Sequence, residues 1–321
     1  MTYQLFTYID SSGATCPGLL HRGQHFSLRA LNSAWAGPAL FDRSDAGIDE
    51  LIGNWAGARA QLEALVQALD NAAFDSAPAR LQADALSFDA PVTRPGVIYA
   101  CGANYRDHVE AMARAFNMRI TLDPRGDGIP PWHFIKAGRG TLAGHRQKVR
   151  YPGHTQLLDW EAELAVIIGK RADNVAVENA LDYVAGYSIA NDLSARDNLK
   201  RDKVDESSPF RFDWIGHKCF TGACPLGPYF TPAQFVASPE KLGIKLWLND
   251  AIKQDSNTSN HLYSVADQIA YLSQRMTLFP GDILLTGTPA GVGMETGTFL
   301  KRGDVMKVWI EALGELETTI V

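Results

Sequence analysis

The chain of 321 residues is poor in cysteine and in long apolar runs. It has four cysteines, and no two of them form a C-x-x-C pair, which excludes a zinc knuckle and a thioredoxin-like redox motif. Residues 164–169 (LAVIIG) are typical of its longest apolar runs, whereas a membrane-spanning helix needs about 20 apolar residues. Free thiols, and an N-terminus without the basic and apolar regions of a signal peptide, lead us to expect a cytoplasmic protein without a membrane partner.

Positive charge is also scarce. Lys and Arg number 30 against 36 Asp and Glu, which gives a formal net charge of -6. The basic residues are scattered, whereas proteins that bind nucleic acids usually carry a basic face, so we expect no nucleic-acid partner. Residues 138–143 match the dinucleotide fingerprint G-x-G-x-x-A, but the residues that follow make a poor helix, which excludes that nucleotide site.

The remaining composition is that of an ordinary globular protein, with 46% hydrophobic and 21% charged residues. In the first part of the chain, apolar residues between positions 48 and 69 recur at i, i+3, i+4 and i+7, which predicts an amphipathic helix. A cluster of proline and glycine that begins at Pro91 marks a boundary. We therefore predict a small N-terminal domain of residues 1–90 and a larger domain of residues 91–321.

Beyond this boundary the sequence is dominated by strand patterns. Residues 163–168 are apolar and β-branched on both faces, which is typical of a buried strand. Residues 245–249 alternate between apolar and polar and run into a turn signal. The clearest helix covers residues 264–276 and begins with a capping box formed by Ser264 and Asp267. The larger domain is therefore predicted to be α+β and rich in strands, not a doubly wound sheet.

Two carboxylates stand at the mouth of the predicted buried strand. Glu161 and Glu163 are two residues apart, so they project from the same face of a strand. Such a pair repels and is costly to desolvate, and a bound divalent cation would relieve both costs. The alternative is that this end of the strand is exposed to solvent, and spacing alone favours that alternative. Asp192, which follows another strand-like run, could likewise be only a helix N-cap.

Four ordered motifs carry a resemblance to a known family. E-x-E-L-x-x-x-I-G-K begins at Glu161, G-Y-x-x-x-N-D-x-S-x-R-D at Gly186, and P-G-D-x-x-x-T-G-T-P-x-G-V-G at Pro280. Upstream, residues 102–108 read G-A-N-Y-R-D-H. Together they resemble the core signature of the fumarylacetoacetate hydrolase superfamily over about residues 91–321. The resemblance implies an α+β fold, a strand-rich mixed β-sandwich roll, preceded by the small N-terminal α+β domain of the longer, bacterial-type members.

The resemblance also implies a metal site. Glu161, Glu163 and Asp192 match the family's ligands for Mg²⁺ or Mn²⁺, which reverses both of the plainer alternatives given above. Three hard oxygen ligands suit such ions and leave coordination positions for substrate and water.

Four further residues match family positions with roles in catalysis or substrate binding. Lys218 matches an active-site lysine, and Thr288 and Arg196 match residues that contact or place the substrate. Lys136 stands where the family has Lys-Pro, although Ala137 replaces the proline here. The resemblance therefore implies that Lys218 is catalytic and that Lys136, Arg196 and Thr288 bind substrate; an exposed surface position is the alternative for the charged residues.

His108 matches the family's general base, which activates water or moves a proton. Many members carry a glutamate three residues later, one helical turn away, but Ala111 occupies that position. On a helix Glu110 would point roughly to the other side. Three interpretations remain, in this order: the segment is not helical and Glu110 reaches His108, another carboxylate such as Glu295 assists it, or no acid does.

Two more features bear on the substrate. Leu199 stands where hydrolases of the type that names the family have glutamine, which weakens the case for fumarylacetoacetate itself. Residues 111–132 are either a lid that closes over the substrate or a variable surface loop.

The leading hypothesis is a homodimeric hydrolase that cleaves a C–C bond in a 2,4-dioxo acid of the acylpyruvate or fumarylpyruvate type, as in aromatic catabolism. His108 would deprotonate a water molecule, and Lys218 would stabilise the oxyanion. The second hypothesis is a lyase or isomerase acting on a 2-oxo acid, such as an oxaloacetate-type decarboxylase or a hydroxymuconate-type isomerase, which needs no positioned water. The third is a metal-binding relic without catalysis.

Overall fold

The computed structural model describes residues 2–321. Its strands are β1 (Gln4–Ile9), β2 (Thr15–His21), β3 (Gln24–Ser27), β4 (Arg80–Leu81), β5 (Ser87–Asp89), β6 (Ile98–Gly102), β7 (Trp132–Lys136), β8 (Leu142–Ala143), β9 (Lys148–Val149), β10 (Leu158–Asp159), β11 (Ala162–Ile168), β12 (Val184–Asn191), β13 (Ser194–Ala195), β14 (Cys224–Pro232), β15 (Gly243–Leu248), β16 (Ala251–Asn257), β17 (Ile283–Leu285), β18 (Val305–Ile310) and β19 (Gly314–Ile320). Its α-helices are α1 (Leu28–Ala34), α2 (Ile48–Gly53), α3 (Trp55–Asp70), α4 (Arg106–Phe116), α5 (Trp214–Lys218), α6 (Val265–Ser273) and α7 (Gly293–Thr296).

A 12-stranded mixed sheet forms the larger layer, with a main path in the order β4-β3-β2-β1-β14-β12-β11-β17-β6-β7; β5 pairs with β1, and β8 with β14. The first strands of the chain join the larger predicted domain directly, because β1 pairs antiparallel with β14 and places Leu5 opposite Phe230. The sheet therefore continues across the predicted boundary near residue 90. The division into residues 1–90 and 91–321 stays a prediction.

A second sheet of five strands, in the order β16-β15-β18-β19-β9, packs on the first. Leu164 and Val166 of β11 lie in one buried cluster with Leu246 of β15 and Val308 of β18. These side chains form the core between two facing sheets, because alternate residues of a strand point to the same side. The predicted α+β class is confirmed.

Strand β11 is buried on its other face as well. Ala165 and Ile167 belong to a second core that includes Ile52 of α2 and Leu62 and Leu65 of α3. The prediction of a strand buried on both faces is therefore confirmed, and its two sets of alternate residues serve two different cores.

The helices follow the sequence pattern with one difference. The single helix predicted for residues 48–69 is two helices, α2 and α3, because the backbone at Asn54 (φ -129°, ψ 51°) leaves the helical region. The predicted capping box is confirmed: Ser264 and Asp267 bond to each other's backbone N–H at the start of α6. Within residues 2–321, none of the helices has both the length and the apolar character that crossing a bilayer requires.

Candidate metal centre

The two central strands bring three carboxylates together at one end of the large sheet. Glu163 lies in β11 and Glu161 directly precedes it, while Asp192 directly follows β12. The antiparallel register places Ala162 opposite Asn191, and the Asp192 backbone N–H donates to the Glu161 carbonyl at 2.8 Å. One carboxylate oxygen from each of the three acids lies within 4.8 Å of the others, and all three side chains are buried. The solvent-exposed alternative therefore does not describe these residues.

Two buried lysines and a partly buried arginine lie against these carboxylates. The Lys218 ammonium donates to Glu161 Oε2 at 2.7 Å and to Asp192 Oδ2 at 2.6 Å. Lys136 Nζ donates to Asp192 Oδ1, and Arg196 Nη2 donates to Glu161 Oε1 at 2.6 Å. Lys136 and Arg196, predicted to bind substrate, are thus in contact with the predicted metal ligands, and their predicted role stays a prediction.

Charge is balanced unevenly among the three acids. Burial by itself would raise the pKa of Glu161, but the neighbouring Lys218 and Arg196 charges hold that pKa below its usual range. The pKa of Glu163 is raised well above its usual value by burial and by the adjacent Asp192 and Glu161 carboxylates. Glu163 is therefore the ligand whose negative charge is compensated least.

The donor set fits a hard divalent cation. Glu161, Glu163 and Asp192 would hold it through carboxylate oxygens, the ligands that Mg²⁺ and Mn²⁺ prefer. A carboxylate oxygen has two lone pairs, so an oxygen that accepts a lysine hydrogen bond still has one for a metal. Among the described hydrogen bonds and ion pairs, Glu163 has no side-chain cation as a partner. A dication beside Glu163 would neutralise this buried charge.

The segment after β17 closes one side of the cluster. The Gly287 backbone N–H donates to Glu163 Oε2 at 2.7 Å. Gly287 has φ +100°, and a Cβ there would lie 2.9 Å from the Asn104 Cβ, so the turn requires glycine. Asn104 is buried and donates to the carbonyls of Thr286 at 2.7 Å and Tyr263 at 3.0 Å. The asparagine of the upstream motif therefore fixes the turn that carries the hydrogen-bond donor of Glu163.

The predicted substrate contact Thr288 is buried beside this turn. Its hydroxyl oxygen accepts a hydrogen bond from Gln254 Nε2 at 2.9 Å, and Gln254 Oε1 accepts from the Ala162 N–H at 3.0 Å. Gln254 therefore ties the threonine to the strand that bears the acidic pair. None of the sequence motifs includes Gln254, because it reaches the site from β16 of the other sheet.

His108 is paired with Glu295 and not with Glu110. Its Nδ1 lies 2.9 Å from Glu295 Oε1, and Glu295 Oε2 accepts the Gly291 N–H at 2.7 Å. The segment around His108 is the helix α4, so Glu110 points away from His108; its nearest charged partner is Arg114 at 4.0 Å. The first-ranked expectation, that Glu110 reaches His108, is wrong for this geometry, and the second-ranked carboxylate takes its place.

Asp159 is another buried site residue that sequence reasoning missed. Its side chain is fully buried and accepts from Arg196 Nε at 2.8 Å. Burial raises the pKa of this carboxyl, and the Arg196 guanidinium opposes that shift. The only sequence signal is position: Asp159 stands two residues before Glu161, in phase with the acidic pair.

Residues 111–132, interpreted as either a lid or a surface loop, begin within α4. Their first residues form the end of that helix, and Phe116, Met118 and Ile120 are exposed. The segment is fastened farther along, where Arg125 pairs with Asp267 and the Ile129 carbonyl accepts the Tyr263 hydroxyl. Closure over a substrate stays a prediction.

Comparison with known proteins identifies the family. The family model of the fumarylacetoacetate (FAA) hydrolase C-terminal domain matches residues 97–321. The chain is 36% identical to a mitochondrial oxaloacetate tautomerase of Rattus norvegicus over 238 residues, which is 74% of this chain and 70% of that protein. A mitochondrial oxaloacetate tautomerase of Homo sapiens is 35% identical over 238 residues, with the same shares.

Two solved structures are similar over nearly the whole chain. The fumarylacetoacetate hydrolase of the psychrophile Exiguobacterium antarcticum is 27% identical with a TM-score of 0.72, covering 99% of both chains. A maleylpyruvate hydrolase of Sphingobium sp., solved with manganese(II) and pyruvate, is 28% identical with a TM-score of 0.70, covering 99% of this chain and 98% of that one. With its motifs, buried acidic triad and fold in agreement, the chain belongs to the fumarylacetoacetate hydrolase family.

Proposed function

We propose that this protein interconverts the keto and enol forms of a small 2-oxo dicarboxylic acid such as oxaloacetate, with Mg²⁺ or Mn²⁺ bound to Glu161, Glu163 and Asp192. Two relatives that are 35–36% identical are oxaloacetate tautomerases by name. The reaction is an isomerisation at a metal-bound 2-oxo acid. It falls in the isomerase class of the second hypothesis drawn from the sequence, which named a decarboxylase and a hydroxymuconate-type isomerase and not a tautomerase.

The observation that carries the proposal is one segment that joins the base to the acidic triad. At its start, the Gly287 N–H binds Glu163. Eight residues later, Glu295 contacts His108. A proton-transfer group and a divalent-metal site held by the same short segment belong to one active site, which is the requirement for enolisation of a chelated 2-oxo acid.

The residues divide the work as follows. The Glu295 carboxylate accepts the Nδ1–H of His108, so the imidazole exchanges protons with a substrate through Nε2. His108 would take a proton from the carbon beside the 2-oxo group, and a proton is returned to the oxygen, so no water is consumed and no C–C bond breaks. A divalent cation, when bound, supplies Lewis-acid polarisation of the 2-oxo group.

Hydrolysis of a 2,4-dioxo acid is the second candidate function. The same His108–Glu295 pair is suited to deprotonate water, and the similar maleylpyruvate hydrolase structure contains manganese(II) and pyruvate. The two functions differ in whether His108 takes its proton from a substrate carbon or from water.

The test is a metal titration of chelator-stripped protein, following the loss of enol absorbance of oxaloacetate. Glu295→Gln should lower kcat about 100-fold, because a neutral amide supports the proton-carrying imidazole poorly. Glu110→Gln, a matched change two residues from His108, should stay within twofold of the wild type, since Glu110 points away from the histidine.

The same protein is then offered acetylpyruvate. Metal-dependent ketonisation of oxaloacetate with acetylpyruvate left intact supports the tautomerase. Cleavage of acetylpyruvate together with oxaloacetate ketonisation at the buffer rate would replace it with the hydrolase.

A further inference from the structure

One buried carboxylate is linked both to the acidic triad and to the segment that carries Glu295. Asp159 ends strand β10 and is fully shielded from solvent. Besides the N–H of the following residue, it accepts the Gly293 N–H at 2.6 Å and the Met294 N–H at 3.0 Å, and Arg196 Nε donates to it at 2.8 Å. Four donors converge on two oxygens, which fixes the carboxylate in place.

The contacts from Gly293 and Met294 lead to the base, His108. Gly293 and Met294 open the short helix α7, whose next residue is Glu295, the partner of His108. A Cβ at Gly293 would collide with the Thr298 carbonyl and crowd the Asp159 carboxylate, so the helix is closely fitted against Asp159. The position of Glu295 is therefore set by a carboxylate that contacts neither Glu295 nor His108.

The contact from Arg196 leads to the predicted metal ligands. Arg196 is planar and donates through Nε to Asp159 while Nη2 donates to Glu161 Oε1 at 2.6 Å. Because the two nitrogens belong to one rigid guanidinium, the orientation of Glu161 depends on the anchor at Asp159. Outer partners of this kind tune the affinity of the ligands that they orient.

We propose that Asp159 is a positioning residue that couples the acidic triad to the His108–Glu295 pair. It acts through Arg196 on Glu161, and through the start of α7 on Glu295. It touches none of the reacting atoms. The part of this inference that concerns turnover depends on the proposed function, whereas the part that concerns metal affinity does not.

Asp159→Asn is the first variant to examine. The amide keeps the shape and one acceptor oxygen, but its NH₂ group faces N–H donors. The start of α7 therefore loses one acceptor in either orientation of the amide, and Arg196 loses its acceptor when the NH₂ group replaces Oδ2. We expect Mn²⁺ affinity, measured by calorimetry on metal-stripped protein, to fall about tenfold. At saturating Mn²⁺, kcat for oxaloacetate ketonisation should also fall about tenfold, with KM changed less than threefold.

Two controls separate positioning from simple destabilisation. Asp282→Asn removes the charge of another buried aspartate that accepts two backbone N–H groups, from Val97 at 2.9 Å and Phe279 at 2.8 Å, at the opposite end of the sheet. It should lower the melting temperature as much as Asp159→Asn does, without changing Mn²⁺ affinity. Glu295→Gln should leave Mn²⁺ affinity unchanged and lower kcat.

A double-mutant cycle tests the coupling to the base. If Asp159 acts through Glu295, the combined Asp159→Asn and Glu295→Gln variant should lose less kcat than the product of the two single losses. Multiplicative losses, or an Mn²⁺ affinity within twofold of that of Asp282→Asn, would overturn the inference. A wild-type protein that does not ketonise oxaloacetate would refute the proposed function. The Mn²⁺ affinities would still test whether Asp159 positions the metal ligand Glu161.

If Asp159→Asn does not fold, Arg196→Lys tests the same link. Lysine has a single charged nitrogen and cannot bridge Asp159 and Glu161 as the guanidinium does. Mn²⁺ affinity should fall about tenfold. An unchanged affinity would refute the link between Asp159 and Glu161.

Discussion

Glu161 and Glu163 are neighbours on one strand face, yet their charges are compensated in opposite ways. Glu161 is paired with Lys218 and Arg196, which lower its pKa, while burial and two adjacent carboxylates raise the pKa of Glu163. Glu163→Gln should therefore raise the melting temperature of metal-free protein by about 2 °C or more, because the amide keeps the bond from Gly287 without a buried charge. Differential scanning calorimetry in chelator measures this shift.

Glu161→Gln is the matched control for that variant. The same chemical change here leaves Lys218 and Arg196 without a full partner, so the melting temperature of metal-free protein should fall by several degrees, the effect of about 3 kcal/mol. Both variants should lose Mn²⁺ affinity by more than about 10-fold. Equal shifts of the same sign in chelator would contradict the assigned difference in charge compensation.

His133 gives a second prediction at the scale of one residue. Among residues 2–321, neither ring nitrogen has a hydrogen-bond partner. The ring stacks on Tyr271, and burial lowers the pKa of His133 to about 4. Between that value and the ordinary histidine pKa near 6.5, the unfolded chain binds a proton that the folded protein does not, so the free energy of unfolding falls as pH falls from about 6.5 to about 4.

His133→Phe should reduce this pH dependence. Phenylalanine cannot take up the proton, so the slope of unfolding free energy against pH should decrease by up to about 1.4 kcal/mol per pH unit across that window. Urea titrations at several pH values measure the slope, and stability at pH 7.5 should be unchanged or higher. A slope equal to that of the wild type would show that His133 does not resist protonation.

Local spacing predicted only part of the site, and the family motifs supplied its more distant residues. The shared face of Glu161 and Glu163 follows from strand alternation alone. The partner of His108 does not, because Glu295 is 187 residues away and only the packing of α7 against α4 brings it there. Glu110 is close to His108 in the sequence, but on a helix it points away from the histidine. The sequence therefore left the choice of carboxylate open.

At the scale of elements, strands β11 and β15 and the capped helix α6 were predictable, because each has a local signal. The break at Asn54 was not, since the apolar periodicity continues from α2 into α3. The place of the first strands in the large sheet was not predictable either. Pairing of β1 with β14 joins segments more than two hundred residues apart, and no local pattern records it.

The segment of residues 117–131, which follows α4, yields a prediction at this scale. It exposes apolar side chains, Met118 at 51% and Ile129 at 49%, beside the helix that carries His108. We expect it to close over an occupied site and bury some of these side chains. Amide hydrogen exchange of residues 117–131 should slow about tenfold with Mn²⁺ and oxalate together, compared with Mn²⁺ alone.

Exchange in strand β18 provides the internal reference, because that strand belongs to the core of the second sheet. The closure prediction requires that its exchange be unchanged while the segment slows. Equal exchange of residues 117–131 with and without oxalate would mean that they form a surface loop and not a lid.

At the scale of the whole molecule, the edge strand β7 and helix α5 expose large apolar side chains. Strand β7 is an edge of the large sheet, and its Trp132 and Phe134 pack with Trp214 of α5, with ring centroids 4.8–5.6 Å apart. Ile135 and Ile215 are 52% and 67% exposed on the same strand and on α5. Contiguous apolar patches rimmed by polar residues are typical of contact sites between proteins.

The homodimer implied by the family resemblance would cover this surface, and Ile135 is the place to test it. Ile135→Glu puts a charge on the edge strand without touching the core, so it should shift a dimer toward monomer and raise the dimer Kd more than about tenfold.

Ile252→Glu is the matched control, because Ile252 is 49% exposed on β16, the edge of the other sheet. Sedimentation velocity should show a dimer for the wild type and Ile252→Glu and a monomer for Ile135→Glu; a monomeric wild type, or equal dissociation of both variants, would rule out this surface as the dimer contact. The patch adjoins the site, since Lys218 Nζ lies 4.8 Å from the centre of the Phe134 ring, so the dissociated variant should also lose metal-dependent turnover.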